Sequence, residues 1–157
     1  MADYHGICRT NYFSVKDAAK FKEFMEACIG DGEVEIFVDK QNDGSIKYGF
    51  GCNGDIKGLP YRIVKGEPVA TYNLDEIEKV LDYDICWGFL MDALQDILPD
   101  GEAVILTEVG NEKLNYLVGC STVITNADIK VVNIQDKAID LARQMLGNAS
   151  YDTIMDY

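Results

Sequence analysis

The chain has 157 residues, 48% hydrophobic and 26% charged, with only three prolines. This is the composition of one folded globular domain, read as residues 1–157, rather than of a disordered tail. Twenty-seven Asp and Glu against fourteen Lys and Arg give a net charge of -13, which argues against direct nucleic-acid binding and against attachment to anionic membranes, because both need a cationic face.

In chain order, the run from Thr10 to Val15 carries Tyr12, Phe13 and Val15 in the alternation of a first strand. Asp17 follows as a helix N-cap. Phe21, Phe24, Met25 and Cys28 then repeat at steps of three and four, which predicts an amphipathic helix closed by Gly30 or Gly32, with Lys16, Lys20, Lys22, Glu23 and Glu26 on its wet side. The runs 33–38 and 46–50 flank Asp39-Lys40-Gln41-Asn42-Asp43-Gly44 and read as a hairpin. A glycine-rich stretch with Pro60 and Pro68 comes next, around a short apolar patch at Tyr61 to Val64.

Leu74 to Tyr83 and Asp84 to Leu98 read as helices. In the second, Trp87, Leu90, Met91, Leu94, Ile97 and Leu98 recur at helical steps until Pro99-Asp100-Gly101 stops it. Three strand-like runs follow, 103–109, 114–125 and 129–134, the first two joined through Gly110 to Lys113. Asp136 is the expected cap of a last helix with Ala138, Ile139, Leu141, Ala142, Met145 and Leu146 on its apolar face and Gly147 as its stop. Short connections between consecutive strands favour antiparallel pairing. The expected fold is α+β: an antiparallel sheet of about five to six strands with amphipathic helices covering one face.

The search for chemistry is short. Cys8, Cys28, Cys52, Cys86 and Cys120 form an odd set with no CxxC, which points to reduced thiols packed in a core and to no metal site. His5 is the one histidine, and the sequence places it in a mobile N-terminal segment where it lacks an oriented partner for Cys8. Asp39 to Gly44 has the oxygen spacing of a calcium loop, but Phe50 stands where the bidentate glutamate belongs, so it reads as a plain turn. Gly49, Gly51 and Gly54 spell GxGxxG without opening an apolar helix, and read as a loop or bulge. No catalytic residue and no cofactor is expected. No run approaches the roughly 18 apolar residues of a membrane span and no leader pattern opens the chain, so the expectation is a cytoplasmic protein.

Charge distribution is the informative feature. Nine carboxylates and one cation lie between Asp75 and Glu102, so less than a fifth of the chain carries most of the imbalance. The expected binding residues are Asp75, Glu76, Glu78, Asp82, Asp84, Asp92 and Asp96, with Tyr83 and Trp87 as aromatic anchors. The bland reading of the same residues is a solubilising face.

The segments Tyr4-His5-Gly6-Ile7-Cys8-Arg9-Thr10-Asn11-Tyr12-Phe13 and Gly110-Asn111-Glu112-Lys113-Leu114-Asn115-Tyr116-Leu117-Val118-Gly119, with the closing Leu146-Gly147 and Asp156-Tyr157, span the chain. They resemble segments of small acidic proteins encoded on phages, plasmids and conjugative elements of Gram-positive bacteria. That resemblance brings no activity and no functional residue. Through its context it implies an inhibitor of restriction or CRISPR enzymes that occupies a DNA-binding cleft.

Together these readings predict a non-enzymatic acidic protein that binds a basic protein surface, in its sharpest form a DNA mimic. Two alternatives stand beside it. One is a small-ligand-binding domain or enzyme using carboxylates near Gly49 to Gly58. The other is a homo-oligomeric subunit whose sheet edge at Ile129 to Ile134 pairs with its copy.

Overall fold

The structure is a computed structural model describing residues 4–64, 67–69, 83–112 and 116–153. Its elements are β1 (His5–Thr10), α1 (Ala18–Glu26), β2 (Ile29–Gly30), β3 (Val34–Lys40), β4 (Ile46–Asn53), β5 (Ile56–Gly58), β6 (Arg62–Val64), β7 (Glu67–Val69), α2 (Tyr83–Ile97), β8 (Val104–Glu112), β9 (Tyr116–Ile124), β10 (Ile129–Asn133) and α3 (Ile134–Leu146). Six strands form an antiparallel sheet in the order β10-β9-β8-β1-β4-β3, and β2-β5 and β6-β7 form two small ribbons. The fold is α+β, as the sequence predicts. No helix among the described residues is long and apolar enough to cross a membrane.

Strand alternation divides the sheet into two unlike faces. On one, Cys8, Phe50, Cys52, Val104, Leu106 and Ile124 are buried beneath α1 and α2. Phe13, Phe21 and Phe24 meet edge to face at this centre, with Phe13 and Phe21 5.6 Å apart and Phe21 and Phe24 likewise 5.6 Å apart. Edge-to-face contact sets a positive ring edge on a negative ring face and adds stability beyond the area buried. Buried Thr10 is satisfied because its hydroxyl accepts the Phe50 N–H at 2.9 Å.

Several boundaries differ from the sequence reading for identifiable reasons. The first strand is His5–Thr10, and Tyr12 and Phe13 follow it, Phe13 contributing only an isolated bridge to Tyr48. His5 is therefore not in a mobile segment; it opens β1 opposite Asn111. Asp17 does cap α1, accepting the Lys20 N–H at 3.1 Å, but the helix ends at Ala27 and Gly30 belongs to β2. The segment from Gly49 to Asn53 is not a loop but part of β4, and its glycines admit β1: a methyl on Gly51 would stand 2.8 Å from the Cys8 carbonyl. β8 runs on through Gly110 and Asn111 to Glu112, so those residues belong to the ladder and not to a turn.

The last helix is capped by Asn133, whose side chain accepts from the N–H groups of Gln135 and Asp136; Asp136 itself sits in the first turn, where its charge complements the helix dipole. Gly147 closes that helix in the left-handed conformation, as expected. The hairpin of β3 and β4 also stands as read, with Asp43 accepting from both the N–H and the hydroxyl of Ser45 in its turn. Those bonds, the side-chain one first, hold the Asp43 carboxyl below the usual range.

Candidate functional site

The acidic residues reach their positions through α2. Leu90, Met91, Ala93, Leu94 and Ile97 recur at helical spacing and are buried, which fixes the helix on the sheet and leaves Asp84, Asp92 and Asp96 on its exposed side. At 100° and 1.5 Å per residue, Asp92 and Asp96 stand roughly 40° apart around the axis and about 6 Å apart along it. Asp84 lies about 12 Å further toward the helix start, roughly 80° to the other side of Asp92. Among the described residues, neither Asp92 nor Asp96 forms an ion pair. Asp96 does border a small hollow shared with Lys20 and Glu23 of α1, so one end of the stripe has a cation near it.

Not every carboxylate of the block joins this surface. Asp100 accepts the Asn126 amide at 2.6 Å, and Glu102 accepts the Ser14 N–H at 2.8 Å while its other oxygen is 3.9 Å from Lys47. These two tie loops to the sheet. Asp75, Glu76, Glu78 and Asp82 lie outside the described residues, and Tyr83 is described only as the first residue of α2.

Trp87 is half-buried rather than enclosed in the core, and with Asp84 it lines a cleft of about 480 Å³. The cleft is also lined by Tyr4 from just before β1, Asp55 from just before β5, Lys57 of β5 and Glu108 of β8. Asp84 and Trp87 are among the residues the sequence proposes for binding; Tyr4, Lys57 and Glu108 are not. They come from distant stretches that only the sheet register brings together, and no local pattern marks them. Asp55 belongs to the Gly49 to Gly58 stretch, so the two competing expectations for a carboxylate site meet in one cleft.

Lys57 reaches Asp31 at 3.5 Å and Asp55 at 3.8 Å, so the cleft holds a cation as well as carboxylates. The negative field remains strong enough to act on its neighbours. Burial first, then Asp55 and Glu108, hold the Tyr4 phenol above its ordinary range. Burial, together with a hydrogen bond from its Sγ to Glu108 Oε2 at 3.4 Å and the charges of Glu108 and Asp55, pushes the Cys120 thiol up to about 11. Both groups stay protonated at neutral pH and act as donors, not as nucleophiles.

None of the five cysteines forms a disulfide. Cys8 faces the core while His5, three residues earlier, lies on the opposite sheet face, so strand alternation itself separates the two. Burial pushes the Cys8 and Cys28 thiols up to about 12. Among the described residues, no group of His, Cys, Asp and Glu is arranged to hold a metal ion. No family model, no curated protein and no solved structure matches the chain.

Proposed function

We propose that this is a binding protein that docks on a basic protein surface through α2 and the cleft at its N-terminal end. The observation that carries this reading is the exposed Asp92 and Asp96 stripe, without ion pairs among the described residues, running toward Asp84 and Trp87. Asp92 and Asp96, without an ion pair among the described residues, keep their attraction for an incoming cation. Trp87 lines the same cleft, where a Lys or Arg side chain set over its indole face would gain a cation–π contact.

Charge density decides how far the DNA-mimic form of the proposal extends. The three described carboxylates of α2 cover about 18 Å of helix axis, whereas one DNA strand presents a charge about every 3.4 Å. The stripe is therefore sparser than a phosphate backbone. It fits a protein surface with a few spaced cations better than a groove built for DNA.

Trp87 is the only tryptophan in the chain, so its fluorescence reports directly on the cleft. Titration with a Lys/Arg-rich peptide is expected to perturb that fluorescence saturably, with affinity falling as salt rises from low to physiological ionic strength. Asp92→Lys combined with Asp96→Lys is expected to weaken binding by at least about tenfold. Binding that ignores salt, or that survives the double charge reversal unchanged, would rule the proposal out.

A further inference from the structure

Among the described residues, nothing packs over the middle of the sheet face opposite α1 and α2. On it Ile7 pairs with Val109, Val109 with Gly119, and Asn111 with Leu117, so one apolar row crosses β1, β8 and β9. Ile7, Val109 and Leu117 are each more than half exposed, with Ile105 and Val132 also exposed nearby. The row forms part of a shallow depression of about 680 Å³.

α3 starts beside this face, its Ile134 side chain seated against Gly119 and its Gln135 side-chain amide donating to the Leu117 carbonyl at 3.2 Å. Ile134 in the first turn is 64% exposed; beyond it Ile139, Ala142 and Arg143 are half-buried, Leu141 is 55% and Met145 80% exposed, and no residue of the helix is fully buried. Ile134, Ala138, Leu141 and Met145 form one stripe at steps of four, three and four. A 13-residue helix draws most of its stability from packing such a stripe, and this one has no partner for it among the described residues.

We propose that the partner is a second copy of this chain, with α3 of each molecule laid across the uncovered sheet face of the other around a two-fold axis. Two observations select a second copy. The first is area. The exposed parts of the sheet row and the helix stripe amount to roughly 900 Å² per molecule, against the about 800 Å² per partner that a standard specific interface buries.

The second is charge. In a molecule of net charge -13, the residues of β1, β8 and β9 that face this side include no carboxylate and a single Arg, Arg9, held 4.3 Å over the Phe37 ring. The carboxylates of α3, Asp136 and Asp140, lie off the apolar stripe, and Asp140 is paired to Arg143 at 3.1 Å. Apolar row and apolar stripe therefore meet without setting one acidic surface against another. Reciprocal exchange also closes the assembly at two copies, since each molecule supplies one helix and receives one. The contact differs from edge pairing through β10, which would leave both the row and the stripe in water.

The test is the mass of the full chain in solution, by light scattering and sedimentation velocity from about 1 to 100 µM. A mass twice that of the chain is expected. Leu141→Asp with Met145→Asp on the helix, and separately Val109→Lys with Leu117→Lys on the sheet, are each expected to weaken the dimer by about a hundredfold or more. All four side chains are exposed in one molecule, so the Trp87 fluorescence of the dissociated variants should match the parent, and any loss of far-UV circular dichroism should be confined to the 13 residues of α3. Mixing the two double variants restores one intact helix-to-sheet contact and is expected to give a mixed dimer where each alone is a monomer.

A parent chain that stays monomeric throughout would overturn the proposal. So would a dimer indifferent to both pairs, which would point to the β10 edge, or one broken by the helix pair alone, which would point to helix-on-helix packing. None of these outcomes depends on the acidic face of α2, which lies on the other side of the sheet.

Discussion

The two faces of the six-stranded sheet share one backbone and differ in nearly everything else. On the covered face, side chains from α1, α2 and four strands converge, and the largest of them, Phe13, Phe21 and Phe50, are fully enclosed. On the other face the same strands present an apolar row to solvent, flanked by Arg9, Thr107, Asn111 and Ser121, and α3 beside it has no fully buried residue. Both faces carry apolar side chains in alternation, though the open one mixes them with these polar neighbours. A strand's pattern thus states that a face is fit to be buried; the rest of the chain decides whether it is buried within the molecule or between molecules.

The contrast yields paired predictions, in which a change on the covered side is expected to lower the stability of one molecule and its counterpart on the open side is not. The largest effect is expected from Phe21→Ala, which removes a ring touching three others and leaves a cavity, at about 3–5 kcal/mol in urea denaturation followed by Trp87 fluorescence. Leu141→Ala, measured in dilute solution, is expected to stay within about 0.5 kcal/mol.

Gly58→Ala comes next. Gly58 has a φ of 124° and a methyl there would overlap the Cys86 carbonyl, which already accepts the Leu59 N–H at 3.0 Å, so the loss is expected to be about 3 kcal/mol. Gly147 also has a positive φ, 61°, but nothing stands within 4 Å of an added methyl, and Gly147→Ala is expected to cost only about 1 kcal/mol, visible as fraying of α3.

The caps form the third pair. Asp17→Ala is expected to lower the urea midpoint by about 1 kcal/mol of stability, whereas Asn133→Ala should reduce helical circular dichroism while leaving the Trp87 transition in place. The last effect appears only at alkaline pH. The Cys8 and Cys28 thiols, held up at about 12 from 9.0 chiefly by burial, keep their protons in the native state after the unfolded chain has lost them. Fewer protons bound in the unfolded state means that stability is fully present below pH 9 and falls between pH 9 and about 12. Cys8→Ala with Cys28→Ala should flatten that slope, whatever it does to the overall stability.

Much of the covered face was legible from sequence because periodicity is a local signal. Phe21, Phe24 and Met25, then Leu90 through Leu98, announce two helices and the side each buries. β1 was harder to place: its core-facing residues are Cys8 and Thr10, small and partly polar, so Tyr12 and Phe13 drew the strand toward themselves. Gly49 and Gly51 suggested a loop because glycine weakens strands. Here it is the close approach of the β1 backbone that requires them, and a close approach between distant segments leaves no local pattern.

The cleft and α3 show two further limits. Tyr4, Asp55 and Glu108 are scattered through the chain and meet Trp87 only once the register is set. On α3 the expected apolar face holds Ala138, Leu141 and Met145, but Ile134, expected in the last strand, opens the helix and joins their stripe while Ile139 and Ala142 are half-buried beside it, and the spacing says nothing of what lies against that stripe. The acidic block was half legible: proximity in sequence gave Asp84, Asp92 and Asp96 one helix, but Asp100 and Glu102 left the group to fasten loops.

The acidic helix and the uncovered face lie on opposite sides of a single sheet. A pair joined through the uncovered faces would carry its two acidic helices outward, free and identical. Against a target with repeated cationic sites, engagement of the first helix would hold the second at a high local concentration, and the gain in avidity, on the order of a hundredfold to ten-thousandfold, would need no additional contact.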